Sequence, residues 1–509
     1  MTELQSHPIN LGDWDPHVFE AHGQELLRMI RDHFEHIRDL PVTSDISPKE
    51  LIGLFDKPLP EKPEPFSSTL DETWSKVIPH LTHWNHPSFH AYFSISASFP
   101  GILADLLISS LNVNAMVWQS APAASALETV VLRWMAEMIG YPPSEDGVLI
   151  NGASLATFYA LAAARDLHSD LNVRTEGLTG RTIPRLRLYT SDQAHSSVDK
   201  AAIALGIGTQ NVVRVPTDEN YRLIPAKLEE TIQSDLQRGY RPMAVVATVG
   251  TTATGAADPV TPVSNICQRH GIWLHIDAAY GGFWNLVPEV RKNAEDLSLG
   301  DSVVVNPHKC LYTPLEVTAL YCRRKDALAN TFRLVPEYLQ TVKKDGSIDY
   351  MDFSLQLGRS FRALKLWWVI RSFGREGLAD RMQESLRLAR WLASEVDKHP
   401  DFICPATSPF ALVCLRYVPQ SIQAAWKQAT EEQRAALRQY VDQLNKKLLA
   451  RLNESGSTFA SHGVIRDGYM IRISIGNIHT TEDDIQKLWQ MLQELGSKVR
   501  ENLPSPLEQ

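Results

Sequence analysis

The sequence predicts an α/β protein in which a mostly parallel sheet is covered by helices, with a helical segment before it and a smaller α+β domain after it. Three observations predict this. Between about Gly147 and Arg323, short continuous apolar runs alternate with stretches of helical periodicity, the texture of strands buried on both faces and of the helices that connect them. The regions on either side carry helical spacing with few strand-like runs. The 509 residues also exceed the ~250–300 at which a single core stops growing, so at least two domains are expected.

From Phe19 to Leu40 the apolar positions Leu26, Leu27, Ile30, Phe34 and Ile37 recur at helical spacing among charges, as in an amphipathic surface helix. Pro58, Pro60, Pro63 and Pro65 then make the stretch from Lys57 to Phe66 an extended connector. Residues 1–97 are read as a helical appendage whose exposed faces pack on another surface, a second copy of the chain being one candidate. Residues 98–375 form the large domain. Its candidate strands are Val148–Ile150, Leu186–Thr190, Val212–Val215, Met243–Val249, Trp273–Ile276, Ser302–Val305 and Val317–Cys322. Between them run helical stretches at Ser154–Asp166, Ser197–Leu205, Pro225–Arg238 and Val263–His270. Residues 376–509 read as the α+β domain, with helices at Leu378–Val396 and Thr430–Asn453 and a small antiparallel sheet at Ala411–Tyr417 and Tyr469–Ile475.

Composition narrows the function classes. Lys plus Arg is 50 against 59 Asp plus Glu, a net charge of −9, which leaves no overall electrostatic footprint for nucleic acid or an anionic membrane surface. The five cysteines are odd in number and form no CxxC pair, which argues against a disulfide framework and a structural zinc site and for the cytoplasm. No signal-like amino terminus and no run of ~18 uncharged apolar residues is present, so no membrane association is expected.

In a mostly parallel sheet the ligand site lies at the carboxyl ends of the strands. Val148–Ile150 leads into Asn151-Gly152-Ala153-Ser154 and a helix, a turn whose N–H groups suit a phosphate as well as they suit a plain strand-to-helix turn. Leu186–Thr190 leads into Ser191-Asp192-Gln193-Ala194-His195. Trp273–Ile276 delivers Asp277-Ala278-Ala279-Tyr280, and Ser302–Val305 delivers Asn306-Pro307-His308-Lys309. A carboxylate and an amine on one sheet edge, with a phosphate cradle nearby, fit one chemistry: a lysine forming a Schiff base with pyridoxal 5′-phosphate while an Asp pairs with the pyridinium nitrogen.

The segments His83-Trp84, Ala91-Tyr92-Phe93, SDQAHSS (191–197), ATVGTT (247–252), WLHIDAAY (273–280), NPHK (306–309) and LGRSFRAL (357–364) resemble the group II pyridoxal-phosphate decarboxylases, most of all the aromatic-L-amino-acid decarboxylases. The resemblance is strongest from about Pro79 to Phe373. It implies the aspartate-aminotransferase fold (fold type I), a homodimer with sites at the subunit interface, and release of carbon dioxide from an aromatic amino acid to leave the amine. By the same resemblance Lys309 is the Schiff-base lysine, Asp277 the partner of the ring nitrogen, His195 the residue stacked on the ring and Ala279 the one beneath it. Ala153, Ser154, Asn306 and His308 match phosphate-side positions, and Thr248 the active-site threonine. Tyr338, in Phe332–Tyr338, matches the tyrosine of the mobile catalytic loop. A phenol there can protonate the α-carbon, where relatives with Phe form aldehydes, so amine formation is expected.

The expected substrate wall is Trp84, Tyr92, Phe93, Ser94, Asn114, Met116 and Gly358. It departs from the animal enzymes: Ser94-Ile95 stands for Pro-Thr, and Asn114 and Met116 stand for Ile and Phe. Gly358 matches animal and indole-preferring plant members, which keeps tryptophan-like substrates alongside tyrosine, phenylalanine and dopa. Cys310 replaces the tryptophan usual after the lysine, and Leu155 stands where Glu is common. No Arg lies among residues 82–118 to receive an ω-carboxylate. His80, His83, His86 and His90 have helical spacing, but Pro87 interrupts it and no Cys or Glu completes a ligand set, so no metal is expected. A non-aromatic amino-acid decarboxylase, an aldehyde synthase and a non-catalytic relative remain as alternatives, the last disfavoured because Lys309 and Asp277 are both present.

Overall fold

The computed structural model describes residues 13–142, 146–334 and 346–507. The chain divides into two compact units, Met1–His86 and Pro87–Gln509.

In the first unit a helix spans Pro16–Glu35. Asp15 accepts a hydrogen bond from the His17 N–H, and Pro16 sits at the first helical position, where its missing N–H costs nothing. The periodicity-based start at Phe19 was therefore one turn late. A second helix, Pro48–Phe55, opens on a capping box between Ser47 and Glu50. The proline-rich stretch carries no helix until Phe66–Glu72. Val18, Phe19, Leu27, Ile52, Phe55 and Leu59 are all exposed.

In the second unit the seven predicted strands form one sheet: β1 (Asp146–Ile150), β2 (Leu186–Ser191), β3 (Val212–Val215), β4 (Arg241–Thr248), β5 (Trp273–Asp277), β6 (Ser302–Val305) and β7 (Thr318–Cys322), in the order β1-β7-β6-β5-β4-β2-β3. β3, β2, β4, β5 and β6 pair in parallel, whereas β7 is antiparallel to both β6 and β1. The middle strands are buried along nearly their whole length, which is why they read as unbroken apolar runs. Helices Phe99–Leu111 and Pro122–Ile139, not singled out in the sequence, precede β1. The first is almost uniformly apolar and leaves Phe99, Leu103, Leu106, Leu107 and Leu111 exposed.

A second sheet has four antiparallel strands in the order β10-β11-β9-β8: β8 (Phe402–Ala406), β9 (Leu412–Tyr417), β10 (Ser461–Ile465) and β11 (Gly468–Ser474). Only β9 and β11 were legible in the sequence. β8 and β10 are half-buried edges with little apolar signal. The helix Ala363–Lys398 runs between the sheets with a break at Gly374 (φ 64°, ψ 172°), next to the expected boundary at 375/376, and both lobes belong to the one unit. Residues 87–97, read as part of the amino-terminal segment, hydrogen-bond to the carboxy-terminal region: His90 N–H donates to Phe459 O (2.8 Å), Ser94 N–H to Ser474 Oγ (3.1 Å), and Ile478 N–H to Ser96 Oγ (3.0 Å). Among the described residues, no helix is long and apolar enough to cross a membrane.

Candidate active site

The β4 and β5 ends lie side by side, Thr248 opposite Asp277, and β6 continues the row with Val304 opposite Asp277. Parallel pairing thus carries three sequence-distant segments to one edge. Asp277 is almost fully buried; its Oδ1 accepts from the Ala279 N–H (3.1 Å), which fixes the carboxylate and leaves the other oxygen available. Asn306 N–H donates to Ala279 O (3.2 Å), so the DAAY and NPHK turns are stitched together. Asn306 Oδ1 is held by the Thr318 hydroxyl at 2.7 Å. His308 is buried and its pKa is pushed down to about 4, mainly by that burial, so it is neutral and its Nδ1–H can donate to Val317 O at 2.7 Å.

Lys309 sits in the short helical turn Pro307–Cys310, and its Nζ lies 4.8 Å from the centroid of the Phe93 ring. Burial lowers its pKa, and Asp277 opposes that shift without cancelling it. Among the described residues Nζ has no hydrogen-bond or ion-pair partner. An amine in this state is more often deprotonated than a surface lysine, as condensation with an aldehyde requires. His195 lies exposed at the end of β2, where its ring responds to the charges of both Asp277 and Lys309. Desolvation lowers its pKa. The Ser197 N–H donates to His195 Nδ1 (3.1 Å), which makes Nδ1 the acceptor and leaves the proton of the neutral ring on Nε2.

The Thr248 hydroxyl is buried without a partner among the described residues. Its backbone is clamped by Asp258, whose Oδ2 accepts from Thr248 N–H and Oδ1 from Leu223 N–H, both at 2.8 Å. Burial pushes the Asp258 carboxyl up to about 7 despite those two donors. At the end of β1, Gly152 (φ +86°) turns the chain into the helix Ala153–Asp166, whose amino terminus has no side-chain cap. Asn151 Oδ1 beside it is buried and has no partner among the described residues. Leu155 packs on the core, so the Glu usual there is replaced by an apolar contact. Cys310 donates to Tyr280 O (3.3 Å), and burial pushes its thiol up to about 12, which keeps it un-ionised beside Lys309.

Phe93 stacks on Tyr280 (3.9 Å, 22°). Tyr92 is exposed with φ 54°, and Ser94 turns inward, its hydroxyl bonded to Phe89 O (2.9 Å) and Ser474 O (2.8 Å). Trp84 belongs to the first unit, where it is partly exposed. Asn114, Met116 and Gly358 form a separate group: Asn114 Nδ2 approaches Met116 Sδ (3.5 Å), and Asn114 Oδ1 accepts from the N–H of Arg359, next to Gly358 (2.9 Å). No hydrogen bond, ion pair or ring contact among the described residues joins these three to Lys309, Asp277 or His195. Tyr338 lies outside the described residues. The described residues contain no group of three or more His, Cys, Asp or Glu able to hold a metal ion.

Arg472, on β11, went unnoticed in the sequence. It is nearly fully buried, donates to Ala253 O (3.0 Å) and Ser461 Oγ (2.9 Å), and lies 5.5 Å from the Phe93 centroid, while its Nη2 has no partner among the described residues. The available signal was an arginine inside an otherwise apolar strand, Met470-Ile471-Arg472-Ile473.

An amine with a lowered pKa and no hydrogen-bond or ion-pair partner among the described residues, a buried carboxylate on the same sheet edge and a capless helix amino terminus are groups that suit an aldehyde cofactor carrying both a basic ring nitrogen and a phosphate. The comparisons agree. Residues 48–418 match the pyridoxal-dependent decarboxylase conserved domain. Tyrosine decarboxylase 2 of Arabidopsis thaliana is 33% identical over 97% of this chain and 90% of its own length. A phenylacetaldehyde synthase of a Rosa hybrid cultivar is likewise 33% identical, covering 94% of each chain. The crystal structure of Oryza sativa TDC with PLP and tryptamine superimposes with a TM-score of 0.89 at 31% identity, covering 96% of this chain and 99% of that one.

The chain belongs to the pyridoxal-dependent decarboxylase family and has the fold type I architecture of these enzymes; its cofactor is pyridoxal 5′-phosphate. The residues present fit that group. Lys309 Nζ, the second Asp277 oxygen and the buried Thr248 hydroxyl have no protein partner among the described residues and lie at one sheet edge.

Proposed function

We propose that the protein decarboxylates an aromatic L-amino acid to the arylalkylamine and carbon dioxide. The observation that carries the reading is that the Lys309 amine and the Arg472 guanidinium approach the same Phe93 ring, at 4.8 and 5.5 Å. One can hold the cofactor, and the other can receive the substrate's carboxylate. When bound, the cofactor serves as the electron sink for the pair of electrons left on the α-carbon as carbon dioxide departs. Asp277, held in place by the Ala279 N–H, would keep a proton on the ring nitrogen of the bound cofactor. His195, neutral with its proton on Nε2, offers a donor at the end of β2. Tyr338 is assigned delivery of a proton to the α-carbon. Ala153, Ser154, Asn306 and His308 are assigned to the phosphate side.

The aromatic class is supported by the Phe93–Tyr280 stack beside Lys309 and by relatives whose names specify tyrosine, phenylacetaldehyde and tryptamine. The similarity to a decarboxylase and to an aldehyde synthase is equally strong, so the product is the property to measure. Across tryptophan, 5-hydroxytryptophan, tyrosine, phenylalanine and dopa, the expected result is one amine per carbon dioxide with no hydrogen peroxide or ammonia. Stoichiometric peroxide, ammonia and aldehyde would make the protein a synthase, and turnover of glutamate or diaminobutyrate alone would end the aromatic reading. Tyr338→Phe is expected to divert product from amine to aldehyde, with oxygen consumed in step; unchanged amine output would remove Tyr338 from the proton-transfer role.

Arg472→Met is expected to raise KM about tenfold or more, the loss of roughly one charge-assisted contact of 1.5–3 kcal/mol, with a smaller change in kcat. An unchanged KM would rule out the carboxylate contact. We also infer a homodimer, for which the exposed face Phe99, Leu103, Leu106, Leu107 and Leu111 is one surface needing cover. In that dimer the Asn114–Met116–Gly358 group is assigned to the partner's substrate wall and residues 1–97 to an interchain clasp. Cytoplasmic location is inferred from five cysteines that are all free thiols.

A further inference from the structure

Glu128 and Arg359 form an ion pair deep inside the second unit, with side chains 2% and 1% exposed and Arg359 Nη2 donating to Glu128 Oε1 at 2.5 Å. Their surroundings give the pair a definite task. β1 is the outermost strand of the seven-stranded sheet and pairs only with β7. Both backbone groups of Leu149 in β1 turn to its unpaired side. There the Leu149 N–H donates to Glu128 Oε1 (2.9 Å) and Leu149 O accepts from Arg359 Nη2 (2.9 Å). The two side chains thus supply the rung that a neighbouring strand would have supplied, at an edge otherwise left with unmet hydrogen bonds.

Two residues beyond Leu149 the chain enters Asn151-Gly152-Ala153-Ser154, the uncapped helix amino terminus. The other side of Arg359 is anchored as firmly. Nη1 donates to Ala115 O (3.0 Å), the Arg359 N–H to Asn114 Oδ1 (2.9 Å), and Arg359 O accepts from the Ala115 N–H (2.8 Å), while the guanidinium lies 5.0 Å from the Tyr350 ring centroid. A lysine could supply the charge but not the fork that reaches Ala115, Leu149 and Glu128 together.

We propose that the Glu128–Arg359 pair is a positioning device for the cofactor: it fixes the end of β1, and with it the Gly152–Ser154 turn, at the place where the turn grips the phosphate. This rests on reading that turn as the phosphate cradle. Burial of two charges is a poor way to add stability, since well-packed apolar side chains in their place are commonly as stable, whereas hydrogen bonds to the two backbone groups of one strand residue set its position.

The test follows loss of pyridoxal phosphate from the purified holoenzyme after dilution, read from the cofactor's visible absorption, together with the thermal unfolding midpoint. E128M/R359M removes both charges at similar volume. It is expected to keep the midpoint near that of the wild type while shedding cofactor at least tenfold faster. R359K is expected to shed it at least fivefold faster. Cofactor loss within twofold of the wild type in a folded variant overturns the proposal; if the double variant does not fold, R359K and E128Q are judged by the same criterion. If none of them folds, the pair is a folding element and the positioning role falls. Gly152→Ala, at a position whose φ of +86° resists a side chain, examines the cradle itself. Unchanged retention in Gly152→Ala would overturn the cradle reading and the proposal with it. Faster loss there with normal loss in the Arg359 and Glu128 variants would overturn the proposal alone. No substrate is added, so the outcome is independent of which amino acid the enzyme accepts.

Discussion

Lys309→Ala is expected to yield a folded protein that has lost the visible absorption of its cofactor and about 10⁴-fold or more in kcat, ~5.5 kcal/mol of barrier. The size of the effect follows from position. The amine of Lys309 is the only described lysine nitrogen set against the Phe93 ring, and its proton affinity is reduced mainly by burial, which Asp277 opposes without cancelling. The neighbouring groups are no substitute for a primary amine: the Nδ1 of His195 accepts from the Ser197 N–H, His308 is held to Val317, and the Cys310 thiol is pushed up to about 12. The fold should survive the change, because Nζ has no hydrogen-bond or ion-pair partner among the described residues and truncation removes a partly desolvated cation without orphaning another group. Absorption spectra, circular dichroism and carbon dioxide release on one preparation decide the matter. A variant that keeps both its colour and its turnover would take Lys309 out of the chemistry.

Asp277→Asn is expected to bind the cofactor and lose kcat by about 10³-fold, ~4 kcal/mol of barrier. The substitution keeps the shape and the acceptor for the Ala279 N–H, so the DAAY turn and its link to Asn306 should persist. What it removes is the negative charge that holds a proton on the ring nitrogen, and with it the electron demand that stabilises the departing electron pair. Cofactor content must be measured beside turnover. Normal cofactor content with kcat within tenfold of the wild type would refute the role, whereas loss of cofactor would show Asp277 acting in binding first. Lys309 provides an internal check: its lowered pKa is opposed by Asp277, so neutralising the carboxylate should lower the amine's pKa further.

The large sheet was legible because its strands are short apolar runs, each buried on both faces. All seven were located to within about two residues, and their ends pointed to Asp277, Lys309 and His195. The small sheet was half legible. β9 and β11 are buried, whereas β8 and β10 are edge strands whose sequence carries no comparable pattern. The helix Phe99–Leu111 escaped because it is apolar almost all round, so it shows no polar face to define its period. Arg472, Asp258 and the Glu128–Arg359 pair escaped for a different reason. Each acts through partners 10 to 231 residues away, Thr248 for Asp258, Ala253 for Arg472 and Glu128 for Arg359, and no local pattern records such a distance.

The sequence by itself determined the fold class, the cofactor chemistry and the residues at the strand ends, because strand burial and turn chemistry are written locally and a parallel sheet always brings its carboxyl ends to one edge. Tertiary structure alone decided how those residues are tuned and held: the burial that lowers the pKa of Lys309, the tautomer of His195, the buried guanidinium near Phe93, and the ion pair that completes the open edge of β1. These depend on which groups are desolvated together. Desolvation is a property of packing between distant segments, and that is settled only when the chain has folded.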